Sequence, residues 1–363
     1  MISDMKNQFL PKYVVPPGET LLETIEAIGM SQAELAERTG RPKKTINEII
    51  KGKASITPDT ALQLERVLGI PASFWNNLER NYQETLARLS EEERLQKQTN
   101  WLDELPLNAM IKLNWIKSYK NRVQQLQEVL NFFSVASLER WREKWIGSQV
   151  SFRKSHVFQS HPSALASWLR KGELEAQKID CKPFNENQFR NALSQIRDLT
   201  THPPETFQPE TVRLCAESGV AITFIPELPQ IRVKGATWWL NPQKAVIQLS
   251  LRYKSDDQLW FSFFHEAGHI LLHGKKEVFI EGDDKNSKED EADKFASDFL
   301  IPPKQYREFI QSGRCSQAVI QKFATDIGIA PGIVVGRLQY EHKINYSFCN
   351  DLKKRFAWRK AGK

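Results

Sequence analysis

No stretch of this chain approaches the roughly eighteen consecutive apolar residues needed to cross a bilayer, so neither a transmembrane helix nor a membrane partner is expected. The opening residues, MISDMKNQFLPKYVV, lack an apolar core and a small-residue cleavage site, and do not read as a secretory signal. Cysteine is scarce. The four present, Cys181, Cys215, Cys315 and Cys349, lie far apart with no CxxC pair. That usage suits a reducing cytoplasm and thiols that serve as buried apolar side chains. Low-complexity tracts and repeats at solenoid period are absent as well. Neither sign of charge dominates: 51 Lys and Arg against 44 Asp and Glu leave +7. Such a balance permits a nucleic-acid partner without requiring one, so the placement of charge matters more than its sum. What remains is a soluble globular composition, 40% hydrophobic and 26% charged, in 363 residues, more than one core usually serves.

Three segments and a tail follow in order. Residues 17–88 read as short helices with tight punctuation. Residues 89–204 are mostly helical, rich in Trp and charge, and have no evident role. The Pro- and Thr-rich stretch THPPETFQPE marks a domain boundary. From 205 to 345 the character changes: a helix, then the strands VAITFIPEL, GATWWLN and KAVIQLSLR, the last two joined by a turn at Asn241-Pro242-Gln243. A long helix comes next. The basic tail over 346–363, ending LKKRFAWRKAGK, reads as solvated.

The stretch SQAELAERTGRPKKTINEIIKGK has clear helix grammar. Ser31 with Glu34 three later is a capping box, so a helix starts at Gln32. Gly40 ends it, because a positive φ is wanted there. Pro42 suits the first turn of the next helix, which runs to about Lys51. Leu35 and Ala36 face inward on the first helix, Ile46 and Ile49 on the second. Two helices joined by so short a Gly-containing turn form a helix-turn-helix unit. The plain alternative is a hairpin that only packs, and the charges speak against it: Arg38, Arg41, Lys43, Lys44, Lys51 and Lys53 cluster around the second helix with Glu48 the sole acid among them. Lys43, Lys44 and Asn47 fall in its amino-terminal half, where a recognition helix meets base edges and phosphates.

This small domain resembles the HigA-type antitoxin branch of the XRE (Cro/C1-like) DNA-binding domains. The resemblance implies a five-helix, lambda-repressor-like fold in which Thr57 caps and Pro58 opens the fourth helix. It also implies dimeric binding of a two-fold double-stranded operator, with Arg41, Lys43, Lys44, Thr45, Asn47 and Lys51 as the DNA-contacting residues.

The second signal is FSFFHEAGHILLHG. Residues four apart share a helix face, so His265 and His269 can offer two imidazole nitrogens to one ion. Glu266 sits one step round, where it can take a proton from metal-bound water. His273 continues the stripe, but a straight helix would carry it about 6 Å further along the axis, which puts it at the rim. The metzincin pattern is excluded, since Leu272 and Lys275 stand where its glycine and third histidine belong. A better third ligand lies in SKEDEADKFASDFLIPP, a helix with Ala292, Phe295, Ala296, Phe299 and Leu300 inward. Glu289 completes a His-His-Glu set that leaves one tetrahedral position for water. Asp293, four residues on, accepts the free N–H of a ligating histidine. Glu291 is the rival ligand on spacing alone, though it points away from the Asp293 face.

The segments FFHEAGHILLH, EDEADKFASDFLIP and FATDIGIAPGIVVGRLQ resemble the ImmA/IrrE family of zinc peptidases. The resemblance implies Zn2+ on His265, His269 and Glu289, Glu266 as general base, a zincin-like fold with a small β-sheet, and a repressor or antitoxin-type protein as substrate. For the oxyanion donor, Lys275, His273 and Tyr306 are candidates. GATWWLN offers an edge on which a substrate peptide can pair, although Trp238 and Trp239 read first as packing residues. Ala324, Gly328 and Val334 repeat the spacing of Ala36, Gly40 and Ile46, but with few bases they read as a packed subdomain. The expected whole is mainly α with an α+β carboxy-terminal domain. Its expected function is that of a cytoplasmic, DNA-binding regulator with a zinc endopeptidase that cleaves a repressor or partner. The alternative is a non-enzymatic HigA-like antitoxin or repressor whose metal site is structural or sensory.

Overall fold

The computed structural model describes residues 14–147, 161–229, 231–281, 286–313 and 315–358. The chain divides into two compact units, Met1–Thr99 and Asn100–Lys363.

The first unit is five helices: α1 (Pro17–Ala27), α2 (Gln32–Thr39), α3 (Lys43–Ile50), α4 (Pro58–Leu68) and α5 (Ala72–Gln96). Their ends follow local chemistry. Ser31 and Thr57 accept the backbone N–H groups of Glu34 and Thr60 at 3.2 and 3.3 Å, which satisfies donors that have no partner inside the helix. Gly40 takes φ +66, a conformation that costs glycine little, and turns the chain from α2 into α3. Pro42 stands just before α3 as its cap instead of inside its first turn. Leu21, Ile25, Leu35, Ile46, Ala61, Leu64 and Trp75 form the core. The helix α5 runs past residue 88 without a break, so the first unit ends later than the sequence suggested.

In the second unit, α6 (Leu107–Lys112), α7 (Arg122–Phe133) and α8 (Leu138–Trp141) gather the aromatic residues of the middle region. Trp101 meets Trp141 at 4.8 Å between ring centroids, and Phe133 packs edge-on against Trp141 and Trp145. Three further helices, α9 (Pro162–Lys178), α10 (Glu186–Asp198) and α11 (Pro204–Glu217), lead to the sheet. Pro203 and Pro204 open α11, as proline can at a first turn, so the stretch expected as a boundary is largely helix. Phe189, Leu193 and Ile196 of α10 share one core with Val220, Ile222 and Ile247. That core crosses the break expected at 204.

The strands are β1 (Val220–Phe224), β2 (Gly235–Asn241), β3 (Lys244–Leu249) and β4 (Phe279–Glu281), in sheet order β1-β3-β2-β4. The β1–β3 pair is parallel; β2 pairs antiparallel with β3 on one side and with β4 on the other. The helix α12 (Asp256–Leu272) packs on β2 and β3, and α13 (Ser287–Leu300) and α16 (Pro331–Tyr340) pack against it. Between the last two run α14 (Pro303–Gln311) and α15 (Gln317–Ile327). Ala324 and Val334 are buried at 1% and 0% exposure, so this helix pair packs into the core, as its few basic residues suggested.

The tail departs from expectation. Lys353 Nζ reaches Asp257 Oδ2 at 2.7 Å, Asp256 N–H donates to the Lys354 carbonyl at 3.0 Å, and Phe356 packs on Phe207. A carboxylate buried at the start of α12 needs a partner; Lys353 supplies one to Asp257, and the Lys354 carbonyl accepts the Asp256 backbone N–H, so the backbone of this segment is docked where solvent was expected, with Lys354 and Arg355 exposed. Burial still pushes the Asp256 carboxyl up to about 6. Residues 359–363 of the tail lie outside the described residues. Among the described residues, no single helix is long and apolar enough to cross a membrane.

Candidate metal centre and nucleic-acid interface

Nearly every side chain of α12 is buried, including Leu259, Trp260, Phe263, Phe264, Ala267 and Ile270. Asp256 and Asp257 favour its start through the helix dipole. In such a helix His265, Glu266 and His269 are anomalous, at 2%, 0% and 1% exposure, because a buried polar group is costly unless it is paired.

The pairing comes from α13, whose start is fixed by Asn286 accepting from the N–H groups of Lys288 and Glu289. His265 Nε2 lies 3.0 Å from Glu289 Oε2 and 3.0 Å from His269 Nε2, and His269 Nε2 lies 3.5 Å from the same carboxylate oxygen. Behind His265, Nδ1 meets Asp293 Oδ1 at 2.8 Å. The acid orients the ring, and a neutral His265 that gives its Nδ1 proton to Asp293 presents an Nε2 lone pair to Glu289 and His269.

Two imidazole nitrogens and a carboxylate oxygen thus converge, and among the described residues this is the group whose ligand atoms all lie within 4.8 Å. Neutral imidazoles whose Nδ1 atoms carry the protons cannot bond to each other through Nε2. A cation between them satisfies all three ligand atoms at once. The carboxylate of Glu266 is the second sign, since neither oxygen has a hydrogen-bond partner; the Thr237 hydroxyl donates instead to the Glu266 carbonyl at 3.2 Å. A fully buried carboxylate with nothing to accept from calls for a ligand or water beside it. The donor set and the orphaned acid together fit a metal ion with three protein ligands and an open position.

Charge in the cluster is strongly coupled. Burial works against a charged His265, but hydrogen bonds to Asp293 and Glu289 outweigh it and raise its proton affinity well above that of free imidazole. Burial would raise the Glu289 carboxyl, yet the two imidazoles hold it down at about 2. Burial pushes Glu266 well above the usual carboxylate range, and Glu281 adds to this against the pull of His265. His269 is lowered, chiefly by burial.

The other candidates fall elsewhere. The His273 side chain is only 4% exposed and not at the rim, with Nδ1 2.9 Å from His269 Nδ1. Glu291 reaches His273 and is no member of the converging group. Lys275 donates to the Pro242 carbonyl and lies over Trp239, which itself packs on Phe184. The Tyr306 hydroxyl donates to Glu341 under the Arg337 guanidinium.

Sequence reasoning missed β4. Its three residues sit inside a polar loop too short of pattern to show a strand, and they cover the β2 edge over Gly235–Thr237 that seemed open to a peptide. Phe279 stacks flat on the His269 ring at 4.1 Å between centroids. Glu281 is 3% exposed and holds Lys234 Nζ at 3.0 Å; burial opposes that lysine's charge, but Glu281 more than offsets it. A cleft opens beside the converging group, walled by Lys234, Phe261, Asp293, Arg337 and Tyr340. On its sheet side a Cβ added at Gly235 would lie 2.5 Å from Glu266 Oε1. Only glycine lets the strand and that carboxylate approach so closely. Gly235→Ala is expected to destabilise the fold by about 1–3 kcal/mol through overpacking, read as a lowered denaturation midpoint at unchanged slope.

In the first unit, Ile46, Ile49 and Ile50 bury one face of α3 and leave Lys43 and Lys44 exposed, with Thr45 and Asn47 half-buried and Lys51 exposed at its end. Lys44 is 84% exposed and only loosely paired with Glu48 at 3.8 Å. Arg41 differs: its Nε donates to Gln63 on α4 at 2.7 Å, which holds it beside the face instead of on it.

Residues 21–75 match the family described as helix-turn-helix, and residues 215–339 a peptidase family described as the IrrE N-terminal-like domain. The chain is 30% identical over 63 residues to the HTH-type transcriptional regulator YddM of Escherichia coli, which spans 17% of this chain and 67% of YddM. It is 38% identical over 69 residues to virulence-associated protein I of Dichelobacter nodosus, spanning 19% of this chain and 64% of that protein. The chain thus covers about two thirds of the length of these curated relatives. Among solved structures, an addiction module antidote protein of the HigA family from Coxiella burnetii is 33% identical, with 23% of this chain and 92% of that one aligned at a TM-score of 0.22.

Proposed function

We propose that this chain, which belongs to the XRE-type helix-turn-helix family at its amino end and to the IrrE-like peptidase family at its carboxy end, is a cytoplasmic DNA-binding regulator carrying a zinc endopeptidase. The observation that carries the peptidase reading is the convergence of His265, His269 and Glu289 beside the unpartnered, fully buried Glu266 carboxylate.

In this reading His265, His269 and Glu289 hold Zn2+. When bound, the ion supplies Lewis acidity, lowering the pKa of water toward neutrality and polarising a carbonyl. Glu266 takes the proton of the attacking water and passes it to the leaving amine. Burial favours that exchange by holding its acid well above the usual carboxylate range. Asp293 keeps His265 in the tautomer that ligates.

The first unit binds a double-stranded operator as a homodimer, with Lys43, Lys44, Thr45, Asn47 and Lys51 of the exposed face, and Arg41 beside it, meeting base edges and phosphates. A peptidase tethered to a promoter meets a promoter-bound repressor at high effective concentration, and such a repressor or antitoxin-type protein is the substrate. The test is incubation of the purified protein with candidate XRE-type repressors, with and without a zinc chelator. Cleavage that the chelator abolishes is expected; a zinc-loaded protein that cleaves none of them and leaves its own chain intact sinks the enzyme and leaves a structural or sensory metal site. For DNA, Lys43→Ala with Lys44→Ala is expected to weaken binding to the DNA upstream of the protein's own coding sequence, and to reduce the salt slope by about two, roughly one per lost phosphate contact. Binding by the parent that is insensitive to salt and untouched by the double change contradicts that assignment.

A further inference from the structure

The geometry points to His273 as the residue that positions the ligand His269, with Glu291 behind it, an inference that rests on the metal reading above. The helix α12 ends at Leu272, and His273 takes extended backbone angles, φ −119 and ψ 167. Its side chain therefore folds back toward the cluster instead of continuing along the axis. His273 Nδ1 lies 2.9 Å from His269 Nδ1, and His273 Nε2 lies 3.3 Å from Glu291 Oε2. Phe279 packs on both rings, at 4.1 and 5.1 Å between centroids, and limits their rotation.

Proton bookkeeping along this chain of atoms is fixed from one end. A His269 that offers its Nε2 lone pair to a cation carries its proton on Nδ1 and needs an acceptor there. The acceptor is His273 Nδ1, so the His273 proton sits on Nε2 and is donated to the Glu291 carboxylate. The arrangement does for His269 what Asp293 does for His265, with a neutral imidazole in place of an acid. Charge explains the difference. Glu266, Glu281, Glu289 and Asp293 already crowd this centre, and a further carboxylate directly behind His269 would add to their repulsion. The imidazole passes the acceptor role outward to Glu291, whose side chain is 61% exposed and therefore solvated. His273 is a positioning residue; it touches a ligand, not the substrate.

The experiment is Zn2+ affinity of the full chain, measured by competition with a chromophoric chelator. His273→Phe keeps an aromatic ring against Phe279 but removes the acceptor, and is expected to weaken zinc binding by about 10–100-fold. His273→Asn places an amide oxygen near the lost Nδ1 and is expected to stay within severalfold of the parent. Glu291→Ala is expected to weaken binding severalfold in the parent and to have no effect in the His273→Asn background, because its link to His269 runs through the imidazole. Three outcomes overturn the assignment: His273→Phe binding as tightly as the parent, His273→Asn doing no better than His273→Phe, or Glu291→Ala acting equally in both backgrounds. A parent chain that holds no zinc overturns the metal reading itself, a result separate from all three.

Discussion

Glu266→Gln is expected to lower peptide cleavage by about 10²–10⁴-fold, the usual contribution of a positioned general base, with one zinc per chain retained. The amide matches the carboxylate in shape but cannot accept a proton. Glu266 lies outside the ligand group, so the ion has no reason to leave. Stability separates this loss from unfolding. An unpaired, fully buried carboxylate is a liability to the fold, and a neutral side chain of the same size relieves it, so the variant should melt at or above the parent's temperature. Zinc content and melting equal to the parent's, together with undiminished cleavage, would show that Glu266 is not the base.

Glu289→Ala is expected to weaken zinc binding by more than about a hundredfold, since losing even a partner behind a ligand costs about 10–100-fold. Protons compete at the same atoms. Ligation needs neutral imidazole at His265, yet its proton affinity is raised well above the free value. The ion must displace that proton, so affinity should rise by about tenfold per pH unit on approach to neutrality and fall in acid. Without zinc the stability linkage has two signs. The depressed Glu289 contributes stability above its ordinary 4.5, lost as pH falls toward about 2. The raised His265 contributes stability below its ordinary 6.5, lost as pH rises through its folded value. Chelator competition across pH, on parent and Glu289→Ala, reads the first effect. Parental affinity in the variant would remove Glu289 from the ligand set.

Local chemistry made much of this legible. Ser31, Gly40 and Thr57 mark helix ends through their own backbone preferences, and the structure places all three at caps. His265 and His269 announce themselves because a helix fixes residues four apart on one face, and Glu289 with Asp293 repeats that rule one helix later. What stayed hidden depends on distant partners. The β4 strand exists because Gly235–Thr237 pairs with it, and nothing within its own three residues requires it. The inward turn of His273 follows from where α12 stops, which spacing alone put one turn too far. The fusion of α10 with the sheet's core is likewise a matter of tertiary packing, invisible to a boundary drawn at prolines.

The docked tail has a consequence in time. A chain made from its amino end completes Asp257 long before Lys353, 96 residues later, which neutralises it. Until then α12 begins with two adjacent buried acids, and its first turn lacks the carbonyl of Lys354. The helix that bears His265 and His269 therefore gains these partners only after Lys353 and Lys354 have left the ribosome. A nascent chain stalled between Glu289 and Lys353 carries His265, His269 and Glu289 without these two contacts at the start of α12.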